Sequence, residues 1–169
     1  MLIAPDLMRG FNGSQLVNPQ ALLQLISQVA PKSLILVPEL LQLLVMAASQ
    51  GWQAPSSLEF IAVGGAHVAV ALLQQASKLG LPVFQGYGLS ECASVVALSA
   101  CDARQSSAPA LELVGLPLAH CDIEIIDGEI VVNQPFLGYL GDEASASSKV
   151  FTGDLGELNA QGQLRILGR

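Results

Sequence analysis

The feature that most constrains the fold is the alternation of helix and strand signals along the first half of the chain. Asn18-Pro19 predicts a helix start, because Asn is a favoured N-cap residue and Pro is tolerated in the first helical turn. Further helices are predicted from Pro38 to about Ser49 and over Val68–Leu79. Short apolar runs between the helices predict buried strands: Ser33–Val37, Leu58–Val63 and Leu81–Gln85. Such alternation over short connections is typical of a parallel α/β layer with covering helices.

The second half of the chain has alternating apolar runs and more turn signals. Cys121–Ile126 and Glu129–Asn133 flank Asp127-Gly128, a dipeptide that favours a two-residue hairpin. Gln163–Leu167 predicts a last strand. We therefore expect a protein of the α/β class, with an α/β subdomain over residues 1–100 and a small antiparallel β subdomain over residues 110–169.

The chain is apolar for its length. Hydrophobic residues make up 51% of the sequence and charged residues 12%, against about 25% charged residues in typical soluble domains. The most apolar run, Leu34–Ala48, is interrupted by Pro38, Glu39 and Gln42, whereas a membrane-spanning helix needs about 20 apolar residues. We therefore expect a protein that is not transmembrane. Its apolar faces are expected to contact another subunit, as in a homodimer, or other parts of a longer polypeptide.

Charge and cysteine content exclude two classes of function. Seven Lys and Arg against 14 Asp and Glu give a net charge of −7, so no basic surface for nucleic acid is expected. The three cysteines, Cys92, Cys101 and Cys121, lack the spacing of a zinc site, and an odd number argues against a disulfide framework. We expect reduced thiols and a cytoplasmic location. His67 and His120 have no evident metal partners and are interpreted as structural.

The stretch that follows the third predicted strand, FQGYGLSE, has the composition of a binding site. Gly86 and Gly88 permit a sharp turn or a close approach of the backbone to a ligand. Tyr87 offers a flat ring that suits a base, Ser90 a hydroxyl that suits a phosphate, and Glu91 a carboxylate that suits Mg²⁺. The same residues also fit a tight turn in which Ser90 caps a helix and Glu91 lies in its first turn.

Five motifs in the order found here resemble those of the adenylate-forming superfamily, which includes acyl-CoA synthetases, the adenylation domains of peptide synthetases and luciferases. They are Gly64-Gly65-Ala66, Gly86-Tyr87-Gly88-Leu89-Ser90-Glu91, Gly128-Glu129-Ile130-Val131-Val132, Thr152-Gly153-Asp154-Leu155-Gly156 and Gly168-Arg169. The resemblance implies a ligase reaction in two steps that uses ATP, Mg²⁺ and coenzyme A. A carboxylate attacks the α-phosphate of ATP to give an acyl-adenylate, and a thiol then takes the acyl group.

Two further turns are most similar to the acyl-CoA synthetase branch of that superfamily. They are the Asp127-Gly128-Glu129 hairpin and the turn at Gly138-Tyr139-Leu140. Within the branch they are closest to the long-chain group. This similarity implies a carboxylate substrate that could be a fatty acid, and hence a place in fatty acid metabolism.

The resemblance also implies a role for each motif position. The implied nucleotide contacts are Gly64, Gly65 and Ala66 along adenine, Tyr87 on the adenine face, Asp154 at the ribose hydroxyls, Ile166 against the nucleoside, and Arg169 at ribose or phosphate. Ser90 is implied to contact the α-phosphate and Glu91 to bind Mg²⁺, so these two are the candidate catalytic residues. Gln85, Gly86 and Gly88 are implied to line the junction of the nucleotide and acyl pockets, and Leu89 is a further implied binding position.

Some parts of the family pattern are not found in this sequence. The Ser/Thr/Gly-rich phosphate loop with its lysine is expected before these motifs, and the lid with the catalytic lysine after Arg169. The chain therefore resembles the middle of such a ligase and is not expected to be catalytically competent alone. The alternative is a non-catalytic module that binds a nucleotide, an acyl chain or another protein. The joint presence of Ser90, Glu91 and Asp154 favours the enzyme.

Overall fold

A computed structural model describes residues 6–101, 111–136, 139–140 and 146–169. The helices are α1 (Pro19–Val29), α2 (Pro38–Ser49) and α3 (Val70–Lys78). The strands are β1 (Phe11–Asn12), β2 (Gln15–Leu16), β3 (Ser33–Leu36), β4 (Phe60–Val63), β5 (Val83–Leu89), β6 (Ser94–Ala100), β7 (Leu113–Pro117), β8 (Asp122–Ile126), β9 (Glu129–Phe136), β10 (Ser147–Leu158) and β11 (Leu164–Gly168). Short 3₁₀ helices cover Asp6–Arg9 and Ser90–Cys92.

The helix starts follow from local capping. Asn18 Oδ1 accepts a hydrogen bond from the backbone N–H of Ala21 at 3.2 Å, and Pro19 is the first residue of α1. Helix α2 likewise begins at Pro38. Both predicted starts are confirmed, because each depends on residues adjacent in sequence. Helix α1 ends where Ala30 adopts a left-handed conformation, one residue before Pro31.

Nine strands form one mixed sheet in the order β3-β4-β5-β6-β7-β11-β10-β9-β8. Strands β3, β4 and β5 run parallel, as predicted, and each pair is joined by a helix. Every later pairing is antiparallel. The fold class is therefore confirmed: a parallel α/β layer is followed by antiparallel strands. Strand β6 was not predicted. It pairs antiparallel with β5 and so connects the parallel strands to the antiparallel ones.

Two apolar cores hold the chain together. The first lies between the helices and the parallel strands and includes Leu41, Ile61 and Leu73, which are fully buried. The second lies inside the antiparallel part and includes Val96, Ile130 and Leu164. Tyr87 and Cys92 also pack in this second core. Residues of the predicted first subdomain thus contribute to the core of the second, and the division at residues 1–100 and 110–169 stays a prediction.

The sheet curls strongly between β5 and β10. These strands are separated by β6, β7 and β11, so a flat sheet would hold them roughly 19 Å apart at about 4.8 Å per strand. Instead the phenol oxygen of Tyr87 on β5 lies 2.8 Å from Oδ2 of Asp154 on β10. The curl closes the antiparallel strands around the second core and turns the end of β5 toward β10 and β11.

Two of the motifs lie in strands, including the stretch at Gly86 and Gly88 that also fitted a tight turn. Gly86 to Leu89 form the second half of β5, and Thr152 to Gly156 lie within β10. The hairpin at Asp127-Gly128 is confirmed, with positive φ angles of 51° and 84° at its two central residues. In the turn predicted at 138–140, Gly138 lies outside the described residues.

Candidate functional site

A cleft of about 970 Å³ lies where the parallel and antiparallel parts of the sheet meet. Its walls come from the loop after β4, from the second half of β5, from β7 and the residues before it, and from β10 and β11. Of the sequence-predicted site residues, ten line this cleft: Gly65, Ala66, Gln85, Gly86, Tyr87, Gly88, Leu89, Asp154, Ile166 and Arg169. The fold thus brings together residues from four separate segments of the chain.

Gln85 presents a buried acceptor to the cleft. Its side chain is 8% exposed, and its Oε1 is one of the few buried side-chain atoms that lack a hydrogen-bond partner among the described residues. A buried carbonyl oxygen without a donor costs roughly 1–3 kcal/mol. Because Gln85 lines the cleft, a ligand N–H or O–H could satisfy it.

The glycines beside the cleft have packing reasons as well as conformational ones. A Cβ on Gly88 would lie 1.9 Å from the carbonyl oxygen of Ser94, because β5 and β6 shift register after Tyr87. A Cβ on Gly64 would lie 3.0 Å from the carbonyl oxygen of Gly86. Gly65 has a φ of +81° and open space around it. Of these three glycines, Gly65 is the one that requires glycine for its backbone conformation.

A bulge in β10 directs Asp154 toward β5. Phe151 pairs with Val131 and Leu155 pairs with Glu129, so residues 152–154 of β10 face the single residue Ile130 of β9. Gly153 in this bulge has a φ of +72°. Bulges bend a strand and change the direction of its side chains, and they are frequent beside binding sites.

Asp154 is held from three sides. Its backbone N–H donates to Thr152 Oγ1 at 3.1 Å. Its Oδ2 accepts the hydrogen bond from Tyr87, and its Oδ1 lies 3.3 Å from Nε of Arg169. The side chain of Arg169 is 78% exposed and that of Asp154 is 17% exposed. Burial is the largest of several causes that together raise the pKa of Tyr87 far above its usual value. The phenol therefore keeps its proton and donates a hydrogen bond to the carboxylate.

Gly64, Ser90 and Glu91 do not line the cleft. Ser90 and Glu91 follow directly after Leu89 in a 3₁₀ helix, and Ser90 is exposed. Oε1 of Glu91 accepts a hydrogen bond from the phenol of Tyr139 at 2.6 Å. This bond, and more weakly the charge of Arg169, lowers the pKa of the Glu91 carboxyl. Glu91 is therefore an ionised carboxylate within electrostatic reach of a cleft residue.

Among the described residues, no group of three or more His, Cys, Asp or Glu side chains could enclose a metal ion. A single carboxylate such as Glu91 still fits Mg²⁺, because this ion is commonly held by one or two carboxylates together with substrate phosphates and water. The donor chemistry at Glu91 is thus compatible with a magnesium ion that arrives with a nucleotide.

The sequence did not indicate three charged or titratable residues of the cleft. His67, which is interpreted above as structural, lies in the loop after β4 and lines the cleft. Nε of Arg165 lies 3.7 Å from Oε2 of Glu112, and both residues line the cleft; the arginine also pairs with Glu157 at 3.1 Å. Arg165 is adjacent to Ile166 in a predicted strand, and only the pairing of β11 with β7 brings it close to Glu112.

All three cysteines are free thiols. Burial raises the pKa of Cys92 and of Cys101 to about 11. Within the described ranges, no helix has the length and apolar character that crossing a membrane requires.

Comparisons of this sequence with known proteins identify one enzyme family and relatives that share one name. The model of the AMP-binding enzyme family matches residues 7–140. A 2-succinylbenzoate–CoA ligase of Bacillus pumilus is 34% identical over 135 residues, which cover 69% of this chain and 27% of that protein. The enzyme of the same name from Bacillus subtilis is 35% identical over 134 residues, covering 68% and 26%. The chain thus spans about a quarter of the length of these curated relatives.

Solved structures agree with the sequence matches. The O-succinylbenzoate coenzyme A synthetase of Bacillus subtilis, in complex with AMP, matches with a TM-score of 0.75 and 27% identity over 90% of this chain and 34% of that chain. The amide bond synthetase McbA of Marinactinospora thermotolerans matches with a TM-score of 0.78 and 26% identity, with the same coverage of both chains. The curled mixed sheet described above is therefore shared with both.

Proposed function

The chain belongs to the AMP-binding enzyme family, and from this premise we propose that it carries the nucleotide site of an AMP-forming carboxylate–CoA ligase. The family resemblance inferred from the five motifs is thereby confirmed. The observation that carries the proposal is the cleft, in which Gln85 to Leu89 meet Asp154 and Arg169 from distant parts of the sequence. A volume of about 970 Å³ is enough for a nucleotide joined to a small acyl group.

The proposed reaction has two displacements. An oxygen of the substrate carboxylate attacks the α-phosphorus of ATP, the bond to the β-phosphate oxygen breaks, and pyrophosphate leaves. The sulfur of coenzyme A then attacks the acyl carbon, loses its proton, and displaces AMP. Both steps depend on the position of the reactants and on the neutralisation of phosphate charge, so the protein needs no nucleophile of its own.

We assign the nucleoside to the residues that line the cleft. The backbone of Gly65 and Ala66 lies along the base, with Gly64 directly before them, and Tyr87 packs on the base. Ile166 lies against the nucleoside. Asp154 accepts hydrogen bonds from the ribose hydroxyls, for which an ionised carboxylate is well suited.

The phosphates are assigned to the residues at the end of this stretch. Arg169 reaches the ribose or a phosphate. The hydroxyl of Ser90 donates a hydrogen bond to the α-phosphate while the charge on that phosphate changes during the reaction. Glu91 would hold Mg²⁺. The ion would neutralise phosphate charge when bound. The position of Ser90 and Glu91 directly after Leu89, together with the electrostatic effect of Arg169 on Glu91, supports these roles.

The acid substrate is proposed from the names of the relatives. The relatives are named for 2-succinylbenzoate, so we propose that acid as the first candidate and keep a fatty acid, with a place in fatty acid metabolism, as the second. Leu89 and the stretch at Gln85–Gly88 lie between the nucleotide and the acyl group in this proposal. The thiol acceptor is coenzyme A by analogy with the names of the relatives.

We propose that this chain binds a nucleotide without completing the ligation, since it spans about a quarter of its relatives. Exposed apolar side chains at the open edge of the sheet, Ile35 and Val37, support contact with further polypeptide or with a second copy in a homodimer. The free thiols support a cytoplasmic location.

Calorimetric titration with AMP and with a non-hydrolysable acyl-adenylate analogue tests the proposal. Asp154→Ala should weaken both ligands at least tenfold, because a hydrogen bond to a charged group contributes about 1.5–3 kcal/mol. Ser90→Ala should weaken them less. Glu59→Ala removes an exposed carboxylate before β4 and is the matched control, with no change expected.

The alternative, a non-catalytic interaction module, gives a different result. A folded parent chain that binds neither ligand would overturn the nucleotide site and favour that alternative. Equal affinities in the parent and in Asp154→Ala would contradict the assigned role of Asp154 while leaving nucleotide binding in place.

A further inference from the structure

We propose that Tyr87 is a positioning residue for Asp154: its phenol fixes Oδ2 of the carboxylate inside the protein, so that Oδ1 is the oxygen presented to the vicinal hydroxyls of a ribose. The inference rests on the proposed nucleotide site and deepens it. The hydroxyl of Tyr87 orients Asp154, and this role is separate from any contact of the ring with a base.

Hydrogen bonds other than the one from the Tyr87 phenol hold the backbone of Asp154 and of the residue before it. Thr152 is buried, and its hydroxyl donates to the carbonyl oxygen of Ile130 at 2.8 Å while accepting the N–H of Asp154. The N–H of Gly153 donates to Oε1 of Glu129 at 2.8 Å. These bonds hold the β10 bulge in one conformation. What they leave free is the rotation of the Asp154 side chain about its own bonds.

Tyr87 removes that remaining freedom. Its side chain is only 8% exposed and packs in the second core, so its ring cannot follow a moving carboxylate. The hydrogen bond to Oδ2 at 2.8 Å therefore selects one orientation of Asp154. A carboxylate held in the orientation that the ligand needs loses little conformational entropy on binding.

The other carboxylate oxygen of Asp154, Oδ1, becomes available to a ligand when Arg169 is displaced. Oδ1 lies 3.3 Å from Nε of Arg169, whose side chain is 78% exposed. The terminal nitrogen of the same arginine reaches the carbonyl oxygen of Thr152 only at 3.5 Å. An exposed arginine with one moderate ion pair and one long hydrogen bond is readily displaced, because such pairs contribute little in water. Ligand hydroxyls can therefore replace it at Oδ1, whereas they cannot replace the buried phenol at Oδ2.

The test compares two ligands and two variants. AMP and a dideoxy-AMP that lacks both ribose hydroxyls are titrated into the parent, Tyr87→Phe and Asp154→Asn. Tyr87→Phe keeps the ring and removes only the hydroxyl. We expect it to weaken AMP about tenfold and to leave the weaker binding of dideoxy-AMP unchanged. Asp154→Asn should likewise weaken AMP more than dideoxy-AMP, so that the two affinities become more similar.

A measurement without ligand separates this inference from the function on which it rests. NMR coupling constants should show one side-chain rotamer of Asp154 in the parent and rotamer averaging in Tyr87→Phe. A single unchanged rotamer in Tyr87→Phe, or an equal loss of affinity for both ligands, overturns the positioning role. A parent that shows the rotamer effect but binds neither nucleotide overturns the proposed function and the ribose assignment with it.

Discussion

The phenol oxygen of Tyr139 lies 2.6 Å from Oε1 of Glu91, the carboxylate assigned to magnesium. Donation from the phenol stabilises the ionised carboxylate and is the largest cause of its lowered pKa. Tyr139→Phe should therefore raise the pKa of Glu91 toward its ordinary value. The measurement is a carboxyl NMR titration of both proteins.

The sign of the pH dependence follows from the same bond. Because the pKa of Glu91 is lower in the folded chain than in the unfolded one, the bond contributes stability above the unfolded pKa and loses it as the pH falls through the folded pKa. Glu124 is the internal control, since its pKa is lowered chiefly by Lys149 and should be the same in both proteins. A pKa of Glu91 that does not move in Tyr139→Phe would show that this hydrogen bond is not formed in solution.

Neighbouring strands offer a matched test of the first core. Ile61 on β4 is fully buried, whereas Ile35 on β3 is 87% exposed. Ile61→Ala should lower the free energy of unfolding by about 2–5 kcal/mol through lost burial and a cavity, and Ile35→Ala should change it by less than about 0.5 kcal/mol. Urea unfolding measures both. A large loss in Ile35→Ala would indicate that this side chain is covered in solution, as a homodimer at the β3 edge requires.

The first half of the fold was predictable because its signals are local. Asn18, Pro19 and Pro38 fix the helix starts within a few residues, and short apolar runs mark β3 to β5. Strand β6 was missed because its pairing with β5 depends on the 3₁₀ turn at Ser90–Cys92 and on the positive φ of Ala93, neither of which has a sequence signal such as glycine.

The site was predictable only as a set of residue types. The motifs indicated Tyr87 and Asp154, but not that they contact each other, since the curl of the sheet that joins β5 to β10 has no local signature. Glu112 and Arg165 were missed for the same reason: they meet only through the pairing of β7 with β11. Contacts between distant segments depend on the whole sheet, and a short motif does not encode them.

Two glycines of one strand should respond differently to the same substitution. A Cβ at Gly88 would overlap the backbone of Ser94 at 1.9 Å, whereas a Cβ at Gly86 would meet a methyl group of Val95 at 3.3 Å. Gly88→Ala should cost roughly 1–3 kcal/mol or more, because β5 and β6 would have to separate. Gly86→Ala should leave the free energy of unfolding nearly unchanged. Alanine gains about 0.5–1 kcal/mol over glycine within a strand, and the tight contact with Val95 offsets this gain. Equal unfolding free energies would contradict the tight approach of β6 to Gly88.

Thr152 links the stability of the β10 bulge to the binding site. Its buried hydroxyl donates to Ile130 and accepts from the N–H of Asp154. Thr152→Val preserves the shape of the side chain but leaves two backbone groups without a partner, so it should lower the unfolding free energy by about 1–3 kcal/mol. Thr152→Ser keeps the hydroxyl and loses one methyl group, at a cost of about 0.8 kcal/mol.

The same pair of variants separates packing from hydrogen bonding at the site. If the hydroxyl holds Asp154 in place, Thr152→Val should weaken AMP severalfold under conditions where the protein is fully folded, and Thr152→Ser should retain the parent affinity. Calorimetry and urea unfolding on the same samples measure both effects. AMP affinity that is lost equally in the two variants would mean that the threonine methyl group, rather than its hydroxyl, keeps the bulge in its binding conformation.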